Sequence, residues 1–197
     1  MGRKTRPLWL HRNVQSSNTM TSSPCPPLPD EHWPAEIAEM KSGFAGALNV
    51  YRTMAHHPDL LKAWTPLRQH IVKNNALGPI RSELVILRAA HRMNSAYEWA
   101  HHVSRARALG ISDARIEAMR GMPDGEDGLI VQAVDAIFDT RSLPSDLELA
   151  LSAAIAKQGV FDLIATVGFY SILGCILMTY QTPIDDAIAH EMAERPL

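Results

Sequence analysis

The sequence predicts an all-α protein, and three observations carry that reading. From His32 onward apolar residues recur at helical spacing. Strand-like alternation bounded by turn residues is missing. Helix stop and start signals also fall between the periodic stretches, at Asn74 and Asn75, at Asn94 and Ser95, and at Gly110 and Ser112.

Taken in order, Asn49 to His56 reads as a short helix. Pro58 opens a second, which runs through Trp64, Leu67 and Ile71 to about Asn74. Gly78 and Pro79 open a third that carries Leu84, Val85, Leu87 and Arg88 toward Met93. Asn94 and Ser95 supply the turn and N-cap of a fourth, which ends at Leu109 before Gly110. Ser112 caps a short fifth. Leu129, Ile130, Ala133, Val134, Ile137 and Phe138 form one apolar helix stripe, and Pro144 to Lys157 is a further helix.

The chain has 197 residues, 46% of them hydrophobic, enough for one domain with a proper core. A net charge of -2 gives no electrostatic reason to expect a nucleic-acid partner. Cys25 and Cys175 are too far apart for a CxxC redox pair, and no four-thiolate zinc site or disulfide scaffold is suggested, so a cytoplasmic location is expected. Before Asp30 there is no acidic residue, while Arg3, Lys4, Arg6, Arg12 and several prolines crowd the same stretch. Residues 1–29 are therefore expected to be a disordered basic tail and 30–197 a single helical domain. Pro7 and Pro24 leave no room for a long amphipathic targeting helix, and Met20 offers a second start.

Leu163 to Thr179 contains no charged residue. A membrane span needs about 20 residues and basic flanks, and no Lys or Arg occurs between Lys157 and Arg195. A buried or interfacial helix is expected instead, with Ala165, Gly168, Ser171 and Gly174 allowing close approach of another helix.

Candidate chemistry concentrates between Arg81 and His102. Glu98 and His102 are four apart, so a carboxylate and an imidazole share one helix face. Folding an antiparallel pair about Asn94 brings Glu83 opposite residues near 104. Two carboxylates and a histidine held away from water would have their proton affinities pushed apart, as acid and base work requires. The alternative is structural: an exposed Glu98–His102 pair, with Glu83 bonded to Arg88 or Arg52. A zinc site from Glu83, Glu98 and His102 is chemically reasonable too, whereas a di-iron bundle needs two Glu-x-x-His pairs and only Glu98–His101 is present. Asn49 and Arg52 share a helix face and could grip an anion.

The elements N-x-x-R at Asn49 and Arg52, HHPDLLKAW from His56, SEL after Arg81, ILR at Ile86, YEWAHH from Tyr97 and GIS at Gly110 together resemble the carboxymuconolactone decarboxylase family, with its alkyl hydroperoxidase D-like fold. The resemblance implies a helical subunit that assembles into trimers or hexamers, with its site beside an interface. Peroxidase members carry Glu, CxxC and a following His; the matching positions here are Glu83, Ser95, Glu98 and His102. Without a thiolate at either position an antioxidant thiol cycle is excluded there. What remains is similar to the decarboxylase branch, which works without metal or organic cofactor. On that resemblance Glu83, Glu98 and His102 are the expected catalytic groups, with His102 as the acid that protonates carbon. Arg52, Arg81, Asn49, Tyr97 and His101 are the expected substrate-binding residues. The expected reaction is lyase or isomerase chemistry on a small lactone or oxygenated acid. The competing readings are a catalytically degenerate oligomeric scaffold and a metal-assisted hydratase or hydrolase.

Overall fold

The structure, a computed structural model, describes residues 25–197, so most of the expected basic tail lies outside the described residues. Among them the regular structure is helical throughout: α1 Phe44–Ala47, α2 Asn49–Met54, α3 Pro58–Gln69, α4 Gly78–Met93, α5 Ala96–Ala108, α6 Asp113–Ala118, α7 Gly125–Thr140, α8 Ser145–Tyr180 and α9 Asp186–Glu194, with short 3-10 turns before α1 and a π turn at His70–Asn74. Residues just before Asp30 are packed, not free. Leu28 exchanges backbone and side-chain hydrogen bonds with Arg52, and His56 Nε2 lies 2.9 Å from the Pro26 carbonyl oxygen.

Helix α4 is the axis of the molecule. Its run from Ser82 to Ala90 is buried, because α5, α7 and α8 all pack around it. Asn75 Oδ1 starts it by accepting from the amides of Leu77 and Gly78 and from the Ser82 hydroxyl. At its other end Asn94 adopts a left-handed conformation (φ 55°), and Ser95 then caps α5 by accepting from the Glu98 amide. This tight reversal is the hairpin anticipated from the sequence. Leu84, Leu87, Val103, Ile130, Val134 and Leu163 fill one core around it, while Ile37, Leu61, Ile71 and Leu173 anchor a second under α2 and α3.

The two expected helices at 144–157 and 163–179 are one element, α8, interrupted by non-helical backbone at Ala156 (φ 61°, ψ 165°). It is long and apolar enough to cross a membrane by length and composition, yet 56% of its most apolar stretch is buried inside the protein. The small residues do not form a single seam. A spacing of three falls short of one turn and so drifts around the helix. Gly174 faces inward, where an added Cβ would come within 2.7 Å of Met93 Sδ, while Gly168 opens to empty space. The outward face carries Phe161, Ile164, Ile172 and Met178, all exposed.

Candidate functional site

Helices α4 and α5 place Glu83, Glu98 and His102 together, and all three are buried, His102 and Glu98 each with only 3% of their surface exposed. His102 Nδ1 donates to Glu83 Oε2 at 2.5 Å, and its Nε2 lies 3.4 Å from Glu98 Oε2. Desolvation disfavours the imidazolium, but the charges and hydrogen bonds of the two carboxylates outweigh it and raise the pKa of His102 above the ordinary value. The Tyr170 ring meets the imidazole edge-on, 5.0 Å between centroids. Burial pushes the Tyr170 hydroxyl well above the usual phenol range, with Glu98 adding to the effect. Glu98 Oε1 is buried without a hydrogen-bond partner among the described residues, an arrangement that costs free energy unless something else meets it.

The cluster sits between two spaces. A cavity of about 510 Å³ is lined by Glu83, Ser82, Asn75, Arg68, Arg105 and Tyr170 among others. A void of about 20 Å³, room for a single water, is bordered by Glu98, His102, Tyr51 and Tyr97 and shares Arg68, Val72, Arg105 and Tyr170 with the larger cavity. The structural alternative for these residues fails on two counts. Glu98 and His102 are not an exposed pair, and neither arginine offered for Glu83 is bonded to it: Arg88 pairs with Asp135 and Arg52 with Asp30.

None of the expected substrate-binding residues lines the large cavity. Arg52 donates to the carbonyls of Gly46 and Leu28 and to Asp30, so it fastens the N-terminal segment. Arg81 makes a two-pronged contact with Glu126 on α7. Asn49, Tyr97 and His101 converge on Asp185, the residue before α9: the Asn49 amide at 3.0 Å, the Tyr97 hydroxyl at 2.6 Å and His101 Nε2 at 2.8 Å. Burial opposes ionisation of Asp185, but these hydrogen bonds win and hold its carboxyl below the usual range. Tyr97 and His101 border the small void, yet their polar ends hold the C-terminal helix in place. The residues that line the large cavity with Glu83 and were not anticipated are Arg68, Arg105, Tyr170 and Asn75. Arg68 had a signal in the sequence: with Leu61 and Trp64 it sits at spacings of three and four, on the buried stripe of α3.

His102 directs its two nitrogens at two different carboxylates, so the three groups are bonded to one another rather than aimed at a common point. Among the described residues no group of three or more His, Cys, Asp or Glu side chains has the geometry to hold a metal ion.

Residues 58–135 match the family described as Carboxymuconolactone decarboxylase family. No curated protein matches the chain in sequence. Among solved structures, an uncharacterized peroxidase-related protein from Silicibacter sp. TM1040 superposes with a TM-score of 0.71 at 13% identity, over 86% of this chain and 97% of that one. An alkylhydroperoxidase AhpD core, also an uncharacterized peroxidase-related protein, from Ralstonia eutropha JMP134 gives 0.71 at 14% identity, over 85% and 96%. A variant of the debrominase Bmp8 in complex with 2,3,4-tribromopyrrole gives 0.64 at 18%, over 91% and 98%. At these identities the likeness establishes a shared alkyl hydroperoxidase D-like fold.

Proposed function

We propose that the chain, whose residues 58–135 match the carboxymuconolactone decarboxylase family, is a cofactor-independent lyase or isomerase that transfers a proton on a small lactone or oxygenated acid. The observation that carries this reading is the buried Glu83–His102–Glu98 chain with one end at a cavity large enough for such a molecule.

The geometry changes the role first expected of His102. Both of its nitrogens face carboxylates, so it does not reach a substrate in the large cavity without giving up a hydrogen bond. Glu83 is the member of the chain that lines that cavity. For delivery, the Nδ1 proton moves to Glu83, which leaves a neutral imidazole whose Nε2–H still faces Glu98. The Glu83 carboxylic acid then protonates the substrate carbon and returns to carboxylate. In a decarboxylation that carbon has just lost carbon dioxide and kept the bonding electron pair, so one proton completes the balance. In an isomerisation the same path runs backward at one carbon and forward at another. Glu98 stabilises the charged imidazole and so keeps the proton in store.

A thiol route has no support at this site, because Ser95 and Glu98 stand where peroxidase relatives place cysteines, and Cys175 is on the outward face of α8. The test is turnover of a panel of small unsaturated lactone and keto acids followed by ultraviolet absorbance. Glu83→Gln, Glu98→Gln and His102→Gln should each cut the rate by roughly 10²–10⁴ with the fold intact, and should combine far less than additively. The Cys25→Ser/Cys175→Ser double variant should keep the wild-type rate. Full rate in the three relay variants would remove the proposal.

A further inference from the structure

Arg68 is out of place by the usual rules for charged residues. It is buried, with 8% of its surface exposed, and no carboxylate lies within ion-pair distance of it among the described residues. Its Nε donates to the Tyr51 hydroxyl at 3.0 Å, and its guanidinium stacks on the Phe44 ring at 3.8 Å. Its two terminal nitrogens make no hydrogen bond to any described residue. The terminal N–H groups are therefore left for whatever occupies the cavity that Arg68 lines, while the Phe44 ring backs the guanidinium from one face. Both cavities border it.

A second guanidinium has the same character. Arg105, one turn beyond His102 on α5, is half-buried, has no ion pair or hydrogen bond among the described residues, and also borders both cavities. Its neighbours on the same helix differ: Arg107 is bonded to Asp113 and Glu191. Most other described arginines have a carboxylate, Arg88 with Asp135 and Arg115 with Asp127 among them. Arg141 has none but is exposed at the end of α7, where it donates to the carbonyls of Ile137 and Phe138. Arg68 and Arg105 are the two that lack one on the wall between the two spaces beside the proton relay.

We propose that Arg68 and Arg105 form the binding subsite for the carboxylate of a monoanionic organic ligand, held against the wall shared by the two cavities with its reacting part toward Glu83. This rests on, and sharpens, the proton-transfer reading above. The chemistry follows from the donors: a guanidinium presents paired N–H groups that match the two oxygens of a carboxylate. The charge class follows from the surroundings. Arg68 and Arg105 have no carboxylate of their own, while Glu83 lines the same cavity and is bonded to His102. One carboxylate meets the two guanidiniums, a second would lie toward Glu83 and be repelled, and a neutral ligand would leave the guanidiniums unmet. Lys73, the remaining cation at this cavity, is exposed at the rim and solvated.

The experiment is isothermal titration calorimetry on the full chain with benzoate, sorbate and 2-furoate as monoanions, benzamide as the neutral counterpart and muconate as a dianion. At least one monoanion should bind the wild type more tightly than benzamide and muconate do. Arg68→Met and Arg105→Gln should each weaken that binding by roughly tenfold or more, the loss expected when a charged hydrogen bond is removed. Glu83→Gln disables the relay but removes a negative charge, so it should bind the monoanion at least as tightly as the wild type. That variant separates the two ideas: loss of turnover without loss of binding upholds both, and unchanged turnover with intact binding removes only the relay. A merely structural Arg68 would show itself in thermal stability, since Arg68→Met would then lower the ligand-free melting temperature while leaving the dissociation constant alone. The subsite predicts a weaker dissociation constant whatever the melting temperature does, because the contacts to Tyr51 and Phe44 are lost in either case. If Arg68→Met does not fold, Arg105→Gln decides. Monoanion affinity unchanged in Arg105→Gln, equal affinity for benzamide, or no binding of any monoanion to the wild type overturns the proposal.

Discussion

Replacing Asp135 by alanine tests how Glu83 is held in place, because the ion pair it breaks fixes α4 against α7. Arg88, five residues after Glu83 on α4, donates Nε and one terminal nitrogen to the two Asp135 oxygens at 2.8 and 2.5 Å. Its other terminal nitrogen donates to the carbonyls of Met119, Arg120 and Gly121 at 3.0, 3.0 and 3.1 Å. The side chains are 9% and 18% exposed, so Asp135→Ala leaves a guanidinium buried with carbonyl partners but no counter-charge. Breaking a pair of this kind costs about 3–5 kcal/mol. For a domain of this size each kcal/mol moves the melting temperature by about 2–4 °C, so the expected drop is roughly 6–20 °C. Arg92 also loses a contact with Asp135 but keeps Asp139, which limits its share of the loss. The assay is thermal unfolding followed by circular dichroism at fixed protein concentration, since any assembly would make the midpoint concentration-dependent. The Arg88→Met/Asp135→Leu double variant should recover most of the loss, because two apolar groups leave no charge unpaired. A loss below about 1 kcal/mol for Asp135→Ala, the value of an exposed pair, would refute the reasoning.

Two further outcomes are expected. The exposed apolar face of α8, with Phe161, Ile164, Ile172 and Met178 beside an open Gly168, should be covered by other copies of the chain, so light scattering should give a trimer or a multiple of it. A mass near 21.8 kDa at micromolar concentration would contradict that, as would an Ile164→Glu variant that assembles like the wild type. The second concerns pH. His102 has its pKa raised by folding, so its contribution to stability is fully present below the ordinary value of 6.5 and is lost as pH rises through the folded value. The melting-temperature advantage of wild type over His102→Gln should therefore shrink on going from about pH 6 to alkaline pH, and a constant or growing advantage would oppose it.

Much of the site could be read from the sequence because it lies on one local hairpin. Once Asn94 and Ser95 mark the reversal, the helical repeat sets Glu83 near residue 104, and the observed partner is His102, about half a turn away. The rest depended on long-range packing, which a local pattern does not encode. Arg52 and Arg81 were expected at the site from the family resemblance, and Arg52 also from the helix face it shares with Asn49, but each faces an acid that tertiary structure brings up, Asp30 and Glu126. Tyr97 and His101 were diverted by Asp185, whose position depends on how the chain returns after α8. Tyr170 reaches His102 from the far half of α8, where an apolar run gave no hint of its direction. Arg68 was legible in part, as a charge on the apolar stripe of α3, though only the cavity reveals why it is there.

The central claim is that His102 holds a proton shared between two carboxylates, and nitrogen-15 chemical shifts of the His102 ring report on that directly. At pH 7 both ring nitrogens should carry protons, with the Nδ1 proton far downfield as expected for a 2.5 Å hydrogen bond to Glu83, and that state should persist above the ordinary imidazole midpoint of 6.5. Glu83→Gln should lower the midpoint. A neutral imidazole in a single tautomer at pH 7 in the wild type would contradict the relay.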